Sequence, residues 1–216
     1  MKGWTMVQLT DLHLRKLTSL HTTIARRVDA IMPQLVVLTG DAVDDPANES
    51  LLDEFLGMIT KPGRRILATW GNHEHWAMDL ESVTRLYAKR GVQVLANDAV
   101  VVDDVWIAGA DDGYTEHTDF ARTFRDAPDA HGPSTRILLT HAPGVLDAPP
   151  KDSPRFDLSL SGHTHGGQVR LGTRALVTPP GSGRFVHGFY DAPMGRVYVS
   201  KGLGMVGPQA RFCCRP

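Results

Sequence analysis

What most constrains this chain is the residue chemistry that follows its short apolar runs. Met6–Leu9, Leu35–Thr39 and Arg65–Trp70 have the length and side chains of buried strands. Each leads into groups able to bind metals or move protons: Asp11-Leu12-His13, Gly40-Asp41-Ala42-Val43-Asp44 and Gly71-Asn72-His73-Glu74. Two later runs do the same. Arg136–Thr140 leads to His141, and Leu158–Ser161 leads to Gly162-His163-Thr164-His165-Gly166-Gly167. In open α/β sheets, ligands bind beyond the carboxyl ends of the strands. A carboxylate ending an apolar strand must be paired or coordinated, because burying it alone is costly. The pattern therefore predicts strands whose ends share one edge and hold one polar cluster.

Between the early runs lie amphipathic stretches. Leu20, Ile24, Val28 and Ile31 recur at helical spacing before Pro33, as do Leu51, Leu52, Phe55, Leu56 and Ile59 before Pro62-Gly63. Leu80, Val83, Leu86 and Tyr87 form a third face closed by Gly91, and Phe120 and Phe124 mark a short fourth helix. Val105–Ala108 and Arg196–Ser200 add two further strands, and Asp103-Asp104 marks a hairpin turn. Without repeats or a long linker, 216 residues predict a single domain over 1–216, α/β early with a β-rich return.

Composition narrows the function. A formal charge of -1 supplies no bulk positive field for a polyanion, so no stable nucleic-acid partner is expected. The N-terminal stretch has no signal-peptide core, and the apolar runs fall short of the ~20 residues of a membrane span. The expectation is a cytoplasmic chain without a transmembrane segment, with peripheral membrane contact left open. The adjacent Cys213 and Cys214 are read as free thiols, since neighbouring cysteines form a strained ring. The chain has ten histidines against four tyrosines and two cysteines. Histidine is the commonest metal ligand and proton carrier near neutral pH.

Extended residues two apart point the same way, so Asp11 with His13, and His163 with His165, can each aim a pair of donors at one point. Asp41 could instead cap a helix, but the next helical pattern begins only near Asn48. The carbonyl oxygen of Asn72 can bind a metal already held by anions. Asp11, His13, Asp41, Asn72, His141, His163 and His165 are too many donors for one tetrahedral ion. They suit two ions about 3.5–4 Å apart with Asp41 as the shared carboxylate. Such a pair generates a bridging hydroxide and clamps a phosphoryl group for in-line attack. His73, beside Asn72, is the candidate proton donor to the leaving group, with Asp44 orienting it. Glu74, Asp111 and Asp112 are expected to support rather than ligate, and His75 to be a bystander. Specificity is expected from loops around Arg15–Ser19, Asp111–His117 and Thr173–His187.

These motifs, in this order and spacing, resemble the calcineurin-like metallophosphoesterases. Gly109-Ala110-Asp111-Asp112, Leu160 to Gln168, and Tyr198 to Gly204 with Arg211-Phe212 are similar to a bacterial subgroup of YaeI/YkuE-type phosphodiesterases, which also contains a UDP-2,3-diacylglucosamine pyrophosphatase. The resemblance implies a four-layer α-β-β-α sandwich of two mixed sheets flanked by helices, the metallo-dependent phosphatase fold. It implies one metal on Asp11, His13, Asp41 and His165, and a second on Asp41, Asn72, His141 and His163. It also implies a small phosphoester substrate, contacted by Asn72 and His73, and two divalent ions, Mn first, with Fe, Zn, Ni or Mg as alternatives. The expected activity is phosphodiester hydrolysis, with pyrophosphatase or phosphomonoesterase activity as alternatives and a non-catalytic scaffold disfavoured because every ligand position is filled. The glycine often found two residues after Asp-x-His is Arg15 here, a candidate contact to a second phosphate or diester substituent.

Overall fold

The computed structural model describes residues 4–129, 132–133, 135–207 and 209–216; His131, to which the sequence assigns no role, lies outside them. The first sheet holds β1 (Met6–Leu9), β2 (Leu35–Thr39), β3 (Arg65–Thr69) and β4 (Val92–Val94), in that order and wholly parallel. The second holds β5 (Asp98–Val102), β6 (Val105–Gly109), β7 (Thr135–Leu139), β8 (Phe156–Ser161), β11 (Gly188–Ala192) and β12 (Gly195–Val199). Its order is β11-β12-β8-β7-β6-β5, with antiparallel outer pairs and a parallel centre. A two-stranded ribbon, β9 (Arg170–Leu171) and β10 (Arg174–Ala175), stands apart.

Side-chain alternation on the strands builds the layers. Along β2 all five residues are buried. Val36 and Leu38 join the core under the helices, while Leu35 and Val37 join the core between the sheets. A strand covered on both faces reads as a continuous apolar run, which is why β2 is so plain in the sequence. β6 divides likewise: Ile107 faces the first sheet, and Trp106 and Ala108 face the outer layer with Phe156 and Phe185.

The helices follow the apolar spacing. α1 (Ser19–Ile31) buries Ile24, Ala25 and Val28, and ends where Met32 turns left-handed before Pro33. α2 (Glu49–Ile59) buries Leu52, Phe55, Leu56 and Ile59. α3 (Asn72–Ala77) begins inside the Gly-Asn-His-Glu motif, and α4 (Leu80–Lys89) buries Val83 and Tyr87. α5 (Phe120–Thr123) is a single turn, so the outer layer over the second sheet is thin. The Gly- and Pro-rich second half supplies short loops instead of long helices there. Asp103 and Asp104 both take positive φ, as a two-residue hairpin between β5 and β6 requires. Among the described residues, no helix is long and apolar enough to cross a membrane.

The sandwich is the four-layer arrangement expected, with the difference that only the second sheet is mixed. Strands β1, β2, β3, β7 and β8 run into the polar motifs, and the packing of the sheets brings those ends to one edge.

Candidate metal centre

Three donor groups gather at that edge, each with its ligand atoms within 4.8 Å of one another: Asp11 with His13 and His165, His13 with Asp41 and His73, and Asp41 with His141 and His163. Asp41 belongs to two of them. Its Oδ2 lies 3.5 Å from His13 Nε2 and 3.2 Å from His141 Nε2. It stands where a shared carboxylate must, and its Oδ1 is held at 3.0 Å by the His73 backbone N–H. On the other side, His13 Nε2 and His165 Nε2 face each other at 3.1 Å, with Asp11 Oδ1 3.4 Å from His165 Nε2.

Hydrogen bonds elsewhere on two rings determine which nitrogen points inward. His141 Nδ1 donates to Thr39 O at 2.8 Å, leaving Nε2 toward Asp41. His163 Nε2 donates to Pro180 O at 2.6 Å, leaving Nδ1 toward His141 Nε2 at 3.2 Å. A carbonyl partner on the outer nitrogen is the usual way a ligating imidazole is oriented. Asn72 is buried, and its Oδ1 has no hydrogen-bond partner. A buried carbonyl oxygen beside a carboxylate and imidazole nitrogens fits a divalent cation. All seven expected donors, Asp11, His13, Asp41, Asn72, His141, His163 and His165, are buried together at this edge.

The electrostatics concentrate at Asp41. Burial works against its charge, but His141 and His13 hold its carboxyl well below the ordinary range. Burial also opposes a charged His141, yet Asp41 lifts it well above the usual imidazole value. His165 is held at about 4, by burial first and then by His13 and Arg211, against the pull of Asp11. Its ring is therefore neutral and able to ligate.

The backbone is strained here. Asp11, His13, Asp41, His163 and His165 all have φ between 42° and 69°. For side chains other than glycine this left-handed region costs about 1 kcal/mol or more per residue. It turns successive residues sharply, so that donors near each other in sequence reach one centre. At Gly71, a Cβ would collide with Asp41 Oδ1, which explains the glycine before Asn72.

Glu74 locks two of these loops together. Its Oε1 accepts from Ala42 N at 2.7 Å and Val43 N at 3.3 Å, and its Oε2 accepts from Asp41 N and Gly71 N, both at 2.9 Å. Burial and the neighbouring Asp41 push its carboxyl up to about 7, against the backbone N–H groups. Four donors converging on two oxygens leave no room for a carboxylic proton, so the geometry keeps it a carboxylate. Glu74 thus supports the centre, as expected, by tying the ends of β2 and β3 together.

His73 sits at the rim, its ring 4.8 Å from His13 edge-on and 5.3 Å from Trp76. It opens on a cavity of about 170 Å³ with Asn72, Trp76, Tyr114, His163 and Pro180 among its walls. Two expectations are corrected. Asp44 was expected to orient His73; instead its Oδ2 lies 3.7 Å from His13 Nδ1 and 3.0 Å from Arg15 Nη2. Burial opposes its charge, but His13 and Arg15 hold its carboxyl at about 2. Arg15 was expected to meet substrate, but it is held by Asp44 and is not among the cavity walls. Both residues lie behind His13.

The sequence missed the aromatic walls. Trp76 follows His73 by three residues, one helical turn, but no apolar periodicity marks the Gly-Asn-His-Glu segment as helical. Glu74 three residues after Gly71 is a helix-start signal that places Trp76 on the His73 face. His75 is no bystander: its Nε2 lies 2.8 Å from Asp111 Oδ1, and it stacks on His117 at 3.8 Å. It fixes the loop that carries Tyr114. Arg211 was also missed as a support. Its guanidinium donates to the carbonyls of Lys201, Gly202 and Gly204 behind His165. Cys213 and Cys214 are free thiols.

The calcineurin-like phosphoesterase profile matches residues 5–167, a span that contains all seven donors and their motifs. The chain belongs to the calcineurin-like phosphoesterase family. Among its relatives, it is 30% identical to the uncharacterized metallophosphoesterase YkuE of Bacillus subtilis, over 99% of this chain and 77% of that protein. It is 29% identical to a Danio rerio protein named as a transmembrane protein with a metallophosphoesterase domain, over all of this chain and 52% of that protein. A crystallographic dimetal phosphatase from Danio rerio shares the fold, with a TM-score of 0.58 and 12% identity over 92% of this chain and 87% of the other. Membership and the gathered donors support a phosphoester hydrolase with a dinuclear divalent metal site.

Proposed function

We propose that the chain is a phosphodiesterase whose two metals are held by Asp11, His13, Asp41 and His165 on one side and Asp41, Asn72, His141 and His163 on the other. The observation that carries the metal assignment is Asp41 Oδ2, set between His13 Nε2 and His141 Nε2. Divalent ions bound there supply an activated water and charge neutralisation at phosphorus. Thr39 and Pro180 fix which ring nitrogens of His141 and His163 face the centre. Glu74 keeps Asp41 and Asn72 in register, and Asp44 backs His13. His73 is placed over the cavity to give a proton to the departing oxygen.

Diester preference is supported by the walls of that cavity. They carry His73, Trp76, Tyr114 and two prolines, but neither lysine nor arginine. A diester monoanion brings a second organic group that these aromatic rings can cover, whereas the extra charge of a monoester dianion meets no lysine or arginine there. A small phosphoester is the partner proposed, and Mn²⁺ the first metal to assay, since mixed nitrogen and oxygen donors accept several divalent ions. The test compares bis-p-nitrophenyl phosphate with p-nitrophenyl phosphate, with and without Mn²⁺ and chelator. Faster diester turnover that chelation abolishes supports the proposal. Full activity after exhaustive metal removal, or a monoester preference, overturns it.

A further inference from the structure

A second cavity, of about 430 Å³, lies beside the metal centre. It shares His165, Pro179 and Val206 with the smaller cavity over the donors, so the two adjoin. Its remaining walls include Val169, Leu176 and Val177. Its volume falls within the usual range for a small-molecule subsite.

The polar side chains in its lining are turned to protein partners. Thr164 Oγ1 donates to Val186 O at 2.6 Å and accepts from Gly166 N at 3.1 Å. The Gln168 amide closes on Val206 from both sides, with Nε2 donating to its carbonyl at 2.9 Å and Oε1 accepting from its N–H at 3.0 Å. His165 Nε2 faces Asp11 and His13. The surface left to a ligand is therefore carbon. A polar substituent entering it loses its water without replacement, whereas an aliphatic one gains. The rim has the same character: Leu176 and Val177, which follow the β9–β10 ribbon, are 53% and 74% exposed.

We propose that this cavity is the subsite for an aliphatic substituent of the phosphodiester whose phosphoryl group sits at the metal centre. The proposal rests on the phosphodiesterase function above and names its substrate class: diesters with an alkyl or acyl chain on one side. The shared walls argue for this occupant, because a chain leaving a phosphoryl group beside His165 meets Pro179 and Val206 first.

The test uses the metal-loaded protein and soluble p-nitrophenyl alkyl phosphates with methyl, butyl and octyl groups, below their micelle concentrations. Each methylene should raise kcat/KM about fourfold until the cavity is filled. Calorimetric binding of methyl, butyl and octyl phosphonates should follow the same progression, independently of turnover. Val177→Asp and Leu176→Asn should each reduce the octyl-to-methyl ratio at least about tenfold, while Phe189→Ser, on β11 and outside this cavity, should leave the ratio intact. Equal kcat/KM for methyl and octyl esters, with chelator-sensitive activity retained, overturns the subsite and leaves the phosphodiesterase function standing. No hydrolysis of any ester overturns both. A rate that rises with phosphatidylcholine vesicles but not with chain length also overturns the subsite, assigning the apolar rim to a bilayer.

Discussion

Replacing Asn72 by leucine should have opposite effects on the two forms of the protein. Asn72 Oδ1 is buried and unpartnered, and leucine has nearly the same branched shape. In chelated protein the substitution removes a buried acceptor that gains nothing from folding. An unsatisfied buried group costs about 1–3 kcal/mol, so Asn72→Leu should stabilise that form by up to this amount. For a chain of this length each kcal/mol raises Tm by roughly 2–4 °C. With Mn²⁺ the sign reverses, because one ligand is gone. A tenfold loss of metal affinity removes about 1.4 kcal/mol of the metal-induced stabilisation. The assay is thermal unfolding of both proteins, with excess chelator and across a Mn²⁺ titration. A variant less stable than the parent in chelator, yet equally stabilised by Mn²⁺, would refute both the orphaned oxygen and its assignment as a ligand.

Glu74→Gln leaves an amide that can accept at only one end, so two of four backbone N–H groups lose their acceptor. It should cost about 3 kcal/mol and lower metal occupancy, read by melting and metal analysis; an unchanged Tm and occupancy would show that the clamp is dispensable. His73→Ala should keep both metals and lose about 10²–10⁴ in turnover, most severely for poor leaving groups; a uniform loss across leaving groups would remove its assigned role. Asp53 is held at about 2 by Arg90 first and then by Lys89. Because its folded value is depressed, its contribution is complete above pH ~4 and disappears as pH falls through about 2. A carboxyl NMR titration should find that midpoint, and one near the ordinary aspartate value would contradict the pairing.

Particular residues show how far the sequence could be read. β2 was legible because burial on both faces leaves an unbroken apolar run, and α2 because Leu52, Phe55, Leu56 and Ile59 keep strict helical spacing. β4 and β9 to β11 were not, since they are short or half-exposed and carry little periodic signal. α3 was hidden because its first turn doubles as a ligand motif. The seven candidate donors could be picked out because each follows a strand or sits in a histidine pair. Asp44 was misassigned because separation along the chain does not say which neighbour a carboxylate faces; the left-handed turns at His13 and Asp41 set that.

The sequence alone determined the candidate donors, the strand ends that carry them and the helices that cover the first sheet, because periodicity and residue chemistry are local properties. Tertiary structure decided the rest. It put Asp41 between two imidazoles, turned the inner nitrogens of His141 and His163 by hydrogen bonds to Thr39 and Pro180, and set an apolar cavity against His165. Those outcomes depend on contacts between residues more than a hundred positions apart in the case of Thr39 and His141. Only the packing of one sheet on the other creates them, so no local pattern could announce them.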